Sequence, residues 1–255
     1  MDISGKTAII TGGASGLGAA TAEKLHGLGA NVLIADFNAA TGQAMAQKLG
    51  ARALFAQVDV TNTEQVQAAV RQAMEAFGAI HILVNCAGTA VPMKIVGKTG
   101  PHDLNAFIKI VHINLIGTFD AMRLAAFEMQ NNTPDANGER GVIVNTASVA
   151  AFEGQVGQSA YAASKAGVAG LTICAARDMA NIGIRVCTIA PGLFDTPLLA
   201  ALPEEARISL GKQTPFPPRL GQPKEFAMLA TAIIENPMMN GETVRLDGAI
   251  RMAPR

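Results

Sequence analysis

The stretch Lys6-Thr-Ala-Ile-Ile-Thr11-Gly12-Gly-Ala-Ser15-Gly16-Leu17-Gly18 decides the fold. Its first part is mostly apolar and β-branched, which is typical of a short buried strand. An alanine-rich helix is predicted over about residues 17–28, closed by Gly29. A strand, a glycine turn and a helix in this order place backbone N–H groups and a helix N-terminus around a phosphate. A plain turn between strand and helix is the alternative.

The next predicted strand, Asn31-Val-Leu-Ile-Ala-Asp36, ends in a carboxylate eighteen residues after Gly18. An acidic residue at about this spacing binds the ribose hydroxyls of a dinucleotide. No Lys or Arg lies between residues 25 and 47, so no nearby base could pair with a 2′-phosphate, which Asp36 would also repel. We therefore expect NAD(H) rather than NADP(H). Asp36 could also cap the following helix, and the two roles are compatible.

Strands and helices continue to alternate along the chain. Further strands are predicted at 53–57, 82–85, 141–146, 185–190 and 242–246, and helices at about 39–49, 63–77, 104–129, 161–181 and 224–235. This order predicts one α/β domain over residues 1–255, a Rossmann-type, doubly wound parallel sheet of seven strands with helices on both faces.

Several small residues follow the carboxyl ends of these strands, where ligands of open α/β sheets bind. Asp59 and Val60 follow one strand, although Asp59 could equally cap the next helix, and Cys86-Ala87-Gly88 follows another. Residues 90–105 are irregular and longer than an ordinary βα loop, so they predict an insertion on the substrate side. The proline-rich residues 193–220 predict a lid.

Ser148 and the segment Tyr161-Ala-Ala-Ser-Lys165 supply candidate chemistry. On a helix, Tyr161 and Lys165 lie one turn apart, so the ammonium can approach the phenol. A charge about 4 Å away is worth roughly 4 kcal/mol at an effective dielectric of about 20, enough to lower the phenol pKa from about 10 towards about 7. Partial burial would oppose this shift, and a cationic nicotinamide nearby would add to it. Such a phenol exchanges protons with an alcohol or ketone oxygen, to which Ser148 would also donate. Alone, the pair could be an ordinary helix surface pair.

Composition narrows the class of protein. The chain has 255 residues, 49% of them hydrophobic, and its twenty basic residues balance twenty acidic ones. We therefore expect no nucleic-acid or membrane partner. Three cysteines without a CxxC spacing predict reduced thiols, and four histidines without a cluster predict no metal site. No signal or transit pattern opens the sequence, which predicts a cytoplasmic protein.

Together these motifs resemble the short-chain dehydrogenase/reductase family over essentially the whole chain. The resemblance rests on the glycine turn, on Asn85-Cys-Ala-Gly88, on Pro191-Gly192 with Thr196, and on four residues that match the family's catalytic tetrad: Asn114, Ser148, Tyr161 and Lys165. It departs at Ala249, where the family often has a second glycine after Asp247-Gly248.

The resemblance implies a role for each matching residue. The NAD site would be lined by Gly12, Ser15, Gly16, Leu17, Gly18, Asp36, Asp59, Val60, Cys86, Ala87 and Gly88. Pro191, Phe194 and Thr196 would close over the nicotinamide, and Lys165 would bind the ribose as well as tune Tyr161. Ser148 would orient the substrate oxygen, and Asn114 would hold a water in the proton relay. Gln155 and Gln158 are candidate substrate contacts, and the family is usually tetrameric.

Within the family, the chain most resembles the type 2 3-hydroxyacyl-CoA dehydrogenases, on residues 94–105, 150–158 and 189–194. This implies reversible hydride transfer between NAD(H) and the 3-hydroxy or 3-keto group of an acyl-CoA. A steroid or another secondary alcohol is the alternative substrate. Reduction of a 3-oxoacyl carrier protein is less favoured because it usually uses NADPH. A cofactor-binding protein with a separate binding role is the alternative from another class.

Overall fold

The computed structural model describes residues 1–200 and 203–254 and contains a seven-stranded parallel sheet. The strand order is β3-β2-β1-β4-β5-β6-β7. The strands are β1 (Thr7–Thr11), β2 (Asn31–Asp36), β3 (Ala53–Gln57), β4 (Ile82–Asn85), β5 (Gly141–Thr146), β6 (Ile184–Pro191) and β7 (Thr243–Leu246). The helices are α1 (Gly16–Gly27), α2 (Ala39–Leu49), α3 (Thr63–Phe77), α4 (Leu104–Val111), α5 (Gly117–Met129), α6 (Ser159–Met179), α7 (Pro197–Ala200), α8 (Glu204–Gly211) and α9 (Pro223–Glu235). The predicted fold class is confirmed.

Alternate residues of the central strands face two separate helical layers. In β1, Ile10 packs with Leu25 of α1 and Phe226 of α9 in one core, while Ile9 packs with Val66 of α3 and Ala121 of α5 in the other. The side-chain period of two in a strand therefore gives both faces an apolar surface. The chain changes direction across the sheet between β1 and β4, so their carboxyl ends form the crevice where ligands of such sheets bind.

The structure corrects the predicted helix 104–129. A π-helical turn, His112–Ile116, separates α4 from α5 and contains the buried Asn114. Such a turn inserts one extra residue into the helix and re-aims the side chains within it. The predicted lid contains two helices, α7 and α8, but its residues 201 and 202 lie outside the described residues.

The continuous helical stretch Leu104–Met129 is long and apolar enough to span a membrane, with a mean hydropathy of 1.2 in its best window. Half of that window is buried within the fold, as in the core helix of a globular domain. The stretch also leaves an apolar face exposed, formed by Leu104, Ile108, Ile116, Phe119 and Phe127.

His81 makes stability depend on pH. Its Nδ1 accepts a hydrogen bond from the Thr7 backbone at 3.3 Å, and burial, with Lys6 nearby, lowers its pKa from 6.5 to about 4. As pH falls, the unfolded chain binds this proton before the folded chain does, so the stabilisation is complete above about pH 6.5 and is lost as pH falls towards 4. His81→Asn keeps an acceptor and should flatten this acid limb, measured as urea unfolding at about pH 5 and about pH 7.5. An unchanged pH dependence in the variant would contradict the assignment.

Candidate active site

The glycine turn between β1 and α1 forms a cradle with no room for side chains. Gly12 has a φ of 65°, and a Cβ there would lie 2.7 Å from the Ala87 backbone nitrogen. A Cβ on Gly18 would collide with the Gly12 carbonyl oxygen. Ser15 begins α1 without a side-chain cap, and the first turn, which includes Gly16 and Leu17, contains no acid. The free N–H groups and helix dipole therefore suit the diphosphate of a dinucleotide.

Asp36 is held beside this turn at the end of β2. Its Oδ2 accepts a hydrogen bond from Ala14 N–H at 3.0 Å, and its Oδ1 accepts one from Asn38 N–H at 3.0 Å. Asn38 caps α2 through Thr41 N–H, so the cap considered for Asp36 belongs to Asn38. Each carboxylate oxygen keeps a lone pair, so Asp36 can still accept hydrogen bonds from the two ribose hydroxyls.

Asp59 and Val60 line the same edge of the sheet, next to β3. The Asp59 carboxylate accepts hydrogen bonds from the N–H and hydroxyl of Thr61, at 2.9 and 2.7 Å. Asn62 caps α3, so the alternative that Asp59 caps this helix is wrong. Val60 is buried and packs against Gly117 at the start of α5. Their contact with an adenine stays a prediction.

Cys86, Ala87 and Gly88 follow β4 and face the glycine turn. Thr146 Oγ1 lies 3.7 Å from Cys86 Sγ, and burial raises the pKa of this thiol to about 11, so it stays protonated. A Cβ on Gly88 would lie 3.3 Å from Asn114 Oδ1 and 3.5 Å from Lys165 Nζ. The absence of a side chain at Gly88 leaves these two polar groups accessible from the turn.

Helix α6 places Tyr161 and Lys165 one turn apart, as the sequence predicts. Lys165 is buried, its Nζ donates to the Thr146 carbonyl at 2.7 Å, and it lies 5.9 Å from the centre of the Tyr161 ring. Ser148 follows β5, and its Oγ accepts a hydrogen bond from Ala150 N–H at 3.1 Å while facing Tyr161. The strand end and the helix start thus bring two hydroxyls and an ammonium together.

Asn114 completes the group from the π-helical turn. Its Nδ2 donates to the Thr89 carbonyl at 2.9 Å and to Ser164 Oγ at 3.0 Å, and its Oδ1 accepts from Thr89 N–H at 2.8 Å. Asparagine suits a helix interior poorly and a buried amide needs partners such as a backbone carbonyl, which Thr89 supplies. Ser164 and Thr89, which fix this side chain, were not singled out from the sequence. Ser164 lies in the segment Tyr161–Lys165, one residue before Lys165, and this position was the only sequence signal of its contact with Asn114.

The pKa of Tyr161 shifts in the opposite direction to the one expected from the sequence. Burial raises the pKa of Tyr161, and its hydrogen bond with Ser148 opposes this only in part. Burial also lowers the pKa of Lys165, to about 8. The expectation that Lys165 brings the phenol pKa towards 7 was therefore wrong for the chain's own residues, because desolvation acts on both groups and the ammonium lies beside the ring.

The residues expected to cover the nicotinamide leave β6 together. Pro191 ends the strand, and Thr196 lies against the glycine turn, 3.5 Å from where a Cβ of Gly16 would be. The buried Phe194 ring packs on Gly221, whose lack of a side chain makes room for it. In this arrangement Phe194 anchors the segment to the core, and its contact with a nicotinamide stays a prediction.

The two glutamines expected to meet substrate bond to each other. Gln158 Nε2 donates to Gln155 Oε1 at 3.3 Å, and Gln158 Oε1 accepts from Gln155 N–H at 3.2 Å. Gln155 Nε2 donates to the Ala253 carbonyl at 2.9 Å. The structure thus gives both side chains partners within the chain, and direct substrate contact stays a prediction.

The sequence and fold of this chain are similar to those of known dehydrogenases. A family model described as short chain dehydrogenase matches residues 6–207. The 3-hydroxyacyl-CoA dehydrogenases type-2 of Bos taurus and Homo sapiens are each 56% identical over 254 residues, which covers 99% of this chain and 97% of theirs. The crystal structure of 3-hydroxyacyl-CoA dehydrogenase type-2 from Mycobacterium avium has a TM-score of 0.95 and 46% identity, covering 98% of each chain.

Proposed function

Because this chain belongs to the short-chain dehydrogenase family, we propose that it oxidises and reduces the 3-hydroxy and 3-keto positions of an acyl-CoA with NAD(H). Membership makes it a dehydrogenase that uses a nicotinamide cofactor. The reaction type is supported by one observation: Ser148, Tyr161 and Lys165 lie close together beside the glycine turn. Identity of 56% over nearly the whole chain to enzymes named for 3-hydroxyacyl-CoA supports the substrate class.

NAD(H) is the form of the cofactor that we propose. Asp36 is fixed at the end of β2 by two backbone N–H groups, with lone pairs left for ribose hydroxyls. A 2′-phosphate in the same place would meet this carboxylate, and no base lies between residues 25 and 47 to pair with it. Both the attractive and the repulsive contacts favour NAD(H).

The chain's own residues divide the acid–base work. In the oxidation direction, Tyr161 accepts the hydroxyl proton of the substrate while the hydrogen on the same carbon leaves with its electron pair, and Ser148 donates to the oxygen that becomes the ketone. Lys165 stabilises the phenolate through its charge. The glycine turn and Asp36 would hold the oxidised cofactor, which would supply the hydride acceptor and positive charge near the phenol.

The test is the initial rate of NADH oxidation with acetoacetyl-CoA, compared with NADPH and with a panel of steroids and simple ketones. Fast turnover with NADH and acetoacetyl-CoA alone is the expected result. Turnover of a steroid or another small ketone without activity on acetoacetyl-CoA would overturn the acyl-CoA substrate and leave the reaction type intact. Preference for NADPH would overturn the role of Asp36.

Titration of the phenol gives a direct reading of the site, since Tyr161 is the only tyrosine and the chain contains no tryptophan. In the free protein the phenolate absorbance should rise only above about pH 10, because burial raises the pKa of Tyr161. Saturation with NAD⁺ should lower the midpoint by about one pH unit or more, through the added positive charge. An unchanged midpoint in the complex would contradict the proposed tuning of the base.

We also propose that the protein assembles as a tetramer through the apolar face of α4 and α5. Exposed patches of this kind mark protein interfaces, and membership of the family, which is usually tetrameric, favours further copies of the chain as the partners. Phe127→Glu should reduce the mass measured by light scattering, because it places a carboxylate in an apolar interface. Phe37→Glu, the same change at a side chain 71% exposed outside this face, should keep the wild-type mass. Equal masses for wild type and the Phe127 variant would contradict this interface.

A further inference from the structure

The C-terminal strap, residues 247–254, crosses the substrate loop, residues 152–158, which joins the turn after Ser148 to helix α6. At the centre of this contact, Glu153 of the loop forms an ion pair with Arg245 on β7, the strand that leads into the strap. Arg245 Nη1 donates to Glu153 Oε1 at 2.8 Å, and Nη2 donates to Oε2 at 3.0 Å. Met252 N–H donates to the same carboxylate at 3.2 Å. This pairing lowers the pKa of Glu153, chiefly through the hydrogen bonds from Arg245.

Two further hydrogen bonds tie the strap to the loop beyond Glu153. Gln155 Nε2 donates to the Ala253 carbonyl at 2.9 Å, and Val156 N–H donates to the Pro254 carbonyl at 3.0 Å. The Arg245 guanidinium also lies 5.2 Å from the centre of the Phe152 ring. The loop is therefore bonded to the strap near both of its ends, on the chain segment that leads directly to Tyr161.

The strap is itself fixed to the other segments around the site. Arg245 Nη2 donates to the Ile250 carbonyl at 3.0 Å, and Phe216 N–H in the predicted lid donates to the Gly248 carbonyl at 3.3 Å. Ala249, where the family often has glycine, has a φ of 68° and donates its N–H to Asp247 Oδ1 at 3.0 Å. The chain keeps this left-handed turn although alanine disfavours it. The turn brings residues 250–254 back over the substrate loop.

We infer that the strap positions the substrate loop and thereby sets how tightly substrate binds, with Glu153 and Arg245 as positioning residues. The inference rests on the proposed function, whose substrate site it deepens. The loop has no regular structure of its own and contains Gly154 and Gly157. Ordering such residues costs conformational entropy, so without the strap this cost would be paid when substrate binds and binding would weaken.

The experiment uses Glu153→Gln and a chain that stops after Arg251, each compared with wild type. We expect KM for the ketone substrate to rise about tenfold, the effect of losing a charge-assisted hydrogen bond, with little change in kcat or in NADH affinity. Amide hydrogen exchange over residues 152–158 should become faster in both variants. Glu153→Asp, which keeps the charge, should recover part of the KM.

The matched control is Glu23→Gln, which removes the carboxylate of an exposed ion pair with Lys48 on α1 and α2. It should leave KM and loop exchange unchanged. Wild-type KM and wild-type loop exchange in both strap variants would overturn the inference, as would parallel losses of NADH affinity and thermal stability, which a purely structural role predicts. Hydrogen exchange needs no substrate, so a failure of the acyl-CoA assignment would be seen separately in the wild-type panel.

Discussion

Replacing Tyr161 with phenylalanine should lower kcat by about a thousandfold or more, the upper part of the range for losing a general acid–base group. The phenol oxygen is the only group of Tyr161 that the variant loses, and it lies with Ser148 and Lys165 where substrate oxygen is expected. The glycine turn and Asp36 are untouched. Dissociation constants for NADH, measured by fluorescence titration, should therefore stay near the wild-type value.

Thr172→Val is the matched control for the Tyr161 variant. It also removes one buried hydroxyl from α6, one that donates to the Val168 carbonyl at 2.9 Å and faces Thr188 on β6. Thr172 lies about three turns along the helix from Tyr161 and should keep kcat within a few-fold. Retained turnover in the Tyr161 variant, or an equal loss in the control, would contradict the role of the phenol.

The sheet could be predicted because its strands carry two independent signals. Ile9 and Ile10 belong to opposite cores, so β1 needs apolar side chains on both faces, and the glycines that follow it fix where the strand ends. The order of strands and helices then leaves few arrangements for a parallel sheet. The π-helical turn at His112–Ile116 was missed, because one extra residue hardly changes the apolar period of a long helix.

The sequence predicted where the residues of the candidate site lie better than it predicted their pKa values. The strand ends brought Ser148 and Asp36 to one edge, and the helix period brought Lys165 to Tyr161. The direction of the Tyr161 pKa shift depends on how deeply the phenol and the ammonium are buried, which spacing does not report. The strap depends on contacts between residues about a hundred positions apart, such as Glu153 and Arg245, which no local pattern encodes.

The two capping alternatives, Asp36 for α2 and Asp59 for α3, fail because an asparagine lies closer to each helix. Asp36 and Asp59 stand close to the starts of α2 and α3, and their residue type suits a helix cap. Asn38 and Asn62, nearer to each helix, take that role, which leaves both carboxylates at the sheet edge. The proposed contribution of Asp36 to cofactor binding can therefore be measured separately from helix capping.

Asp36→Asn should reverse much of the cofactor preference. The variant keeps the size of the side chain and one acceptor oxygen for Ala14 or Asn38, but it loses the charge. We expect kcat/KM with NADH to fall about a hundredfold, because charge-assisted hydrogen bonds to the ribose are lost, and kcat/KM with NADPH to rise because repulsion of its phosphate is removed. Initial rates with both cofactors give the ratio directly.

Asp59→Asn tests whether any carboxylate on this edge has the same effect. Asp59 Oδ1 accepts both the N–H and the hydroxyl of Thr61, which holds this carboxylate in its own turn after β3, so neutralising it should leave the ratio of NADH to NADPH near wild type. An equal shift in both variants would point to a general field of negative charge instead of a specific ribose contact, since such a field acts over about 10 Å at ordinary salt. A shift confined to Asp36 identifies it as the residue that excludes the 2′-phosphate.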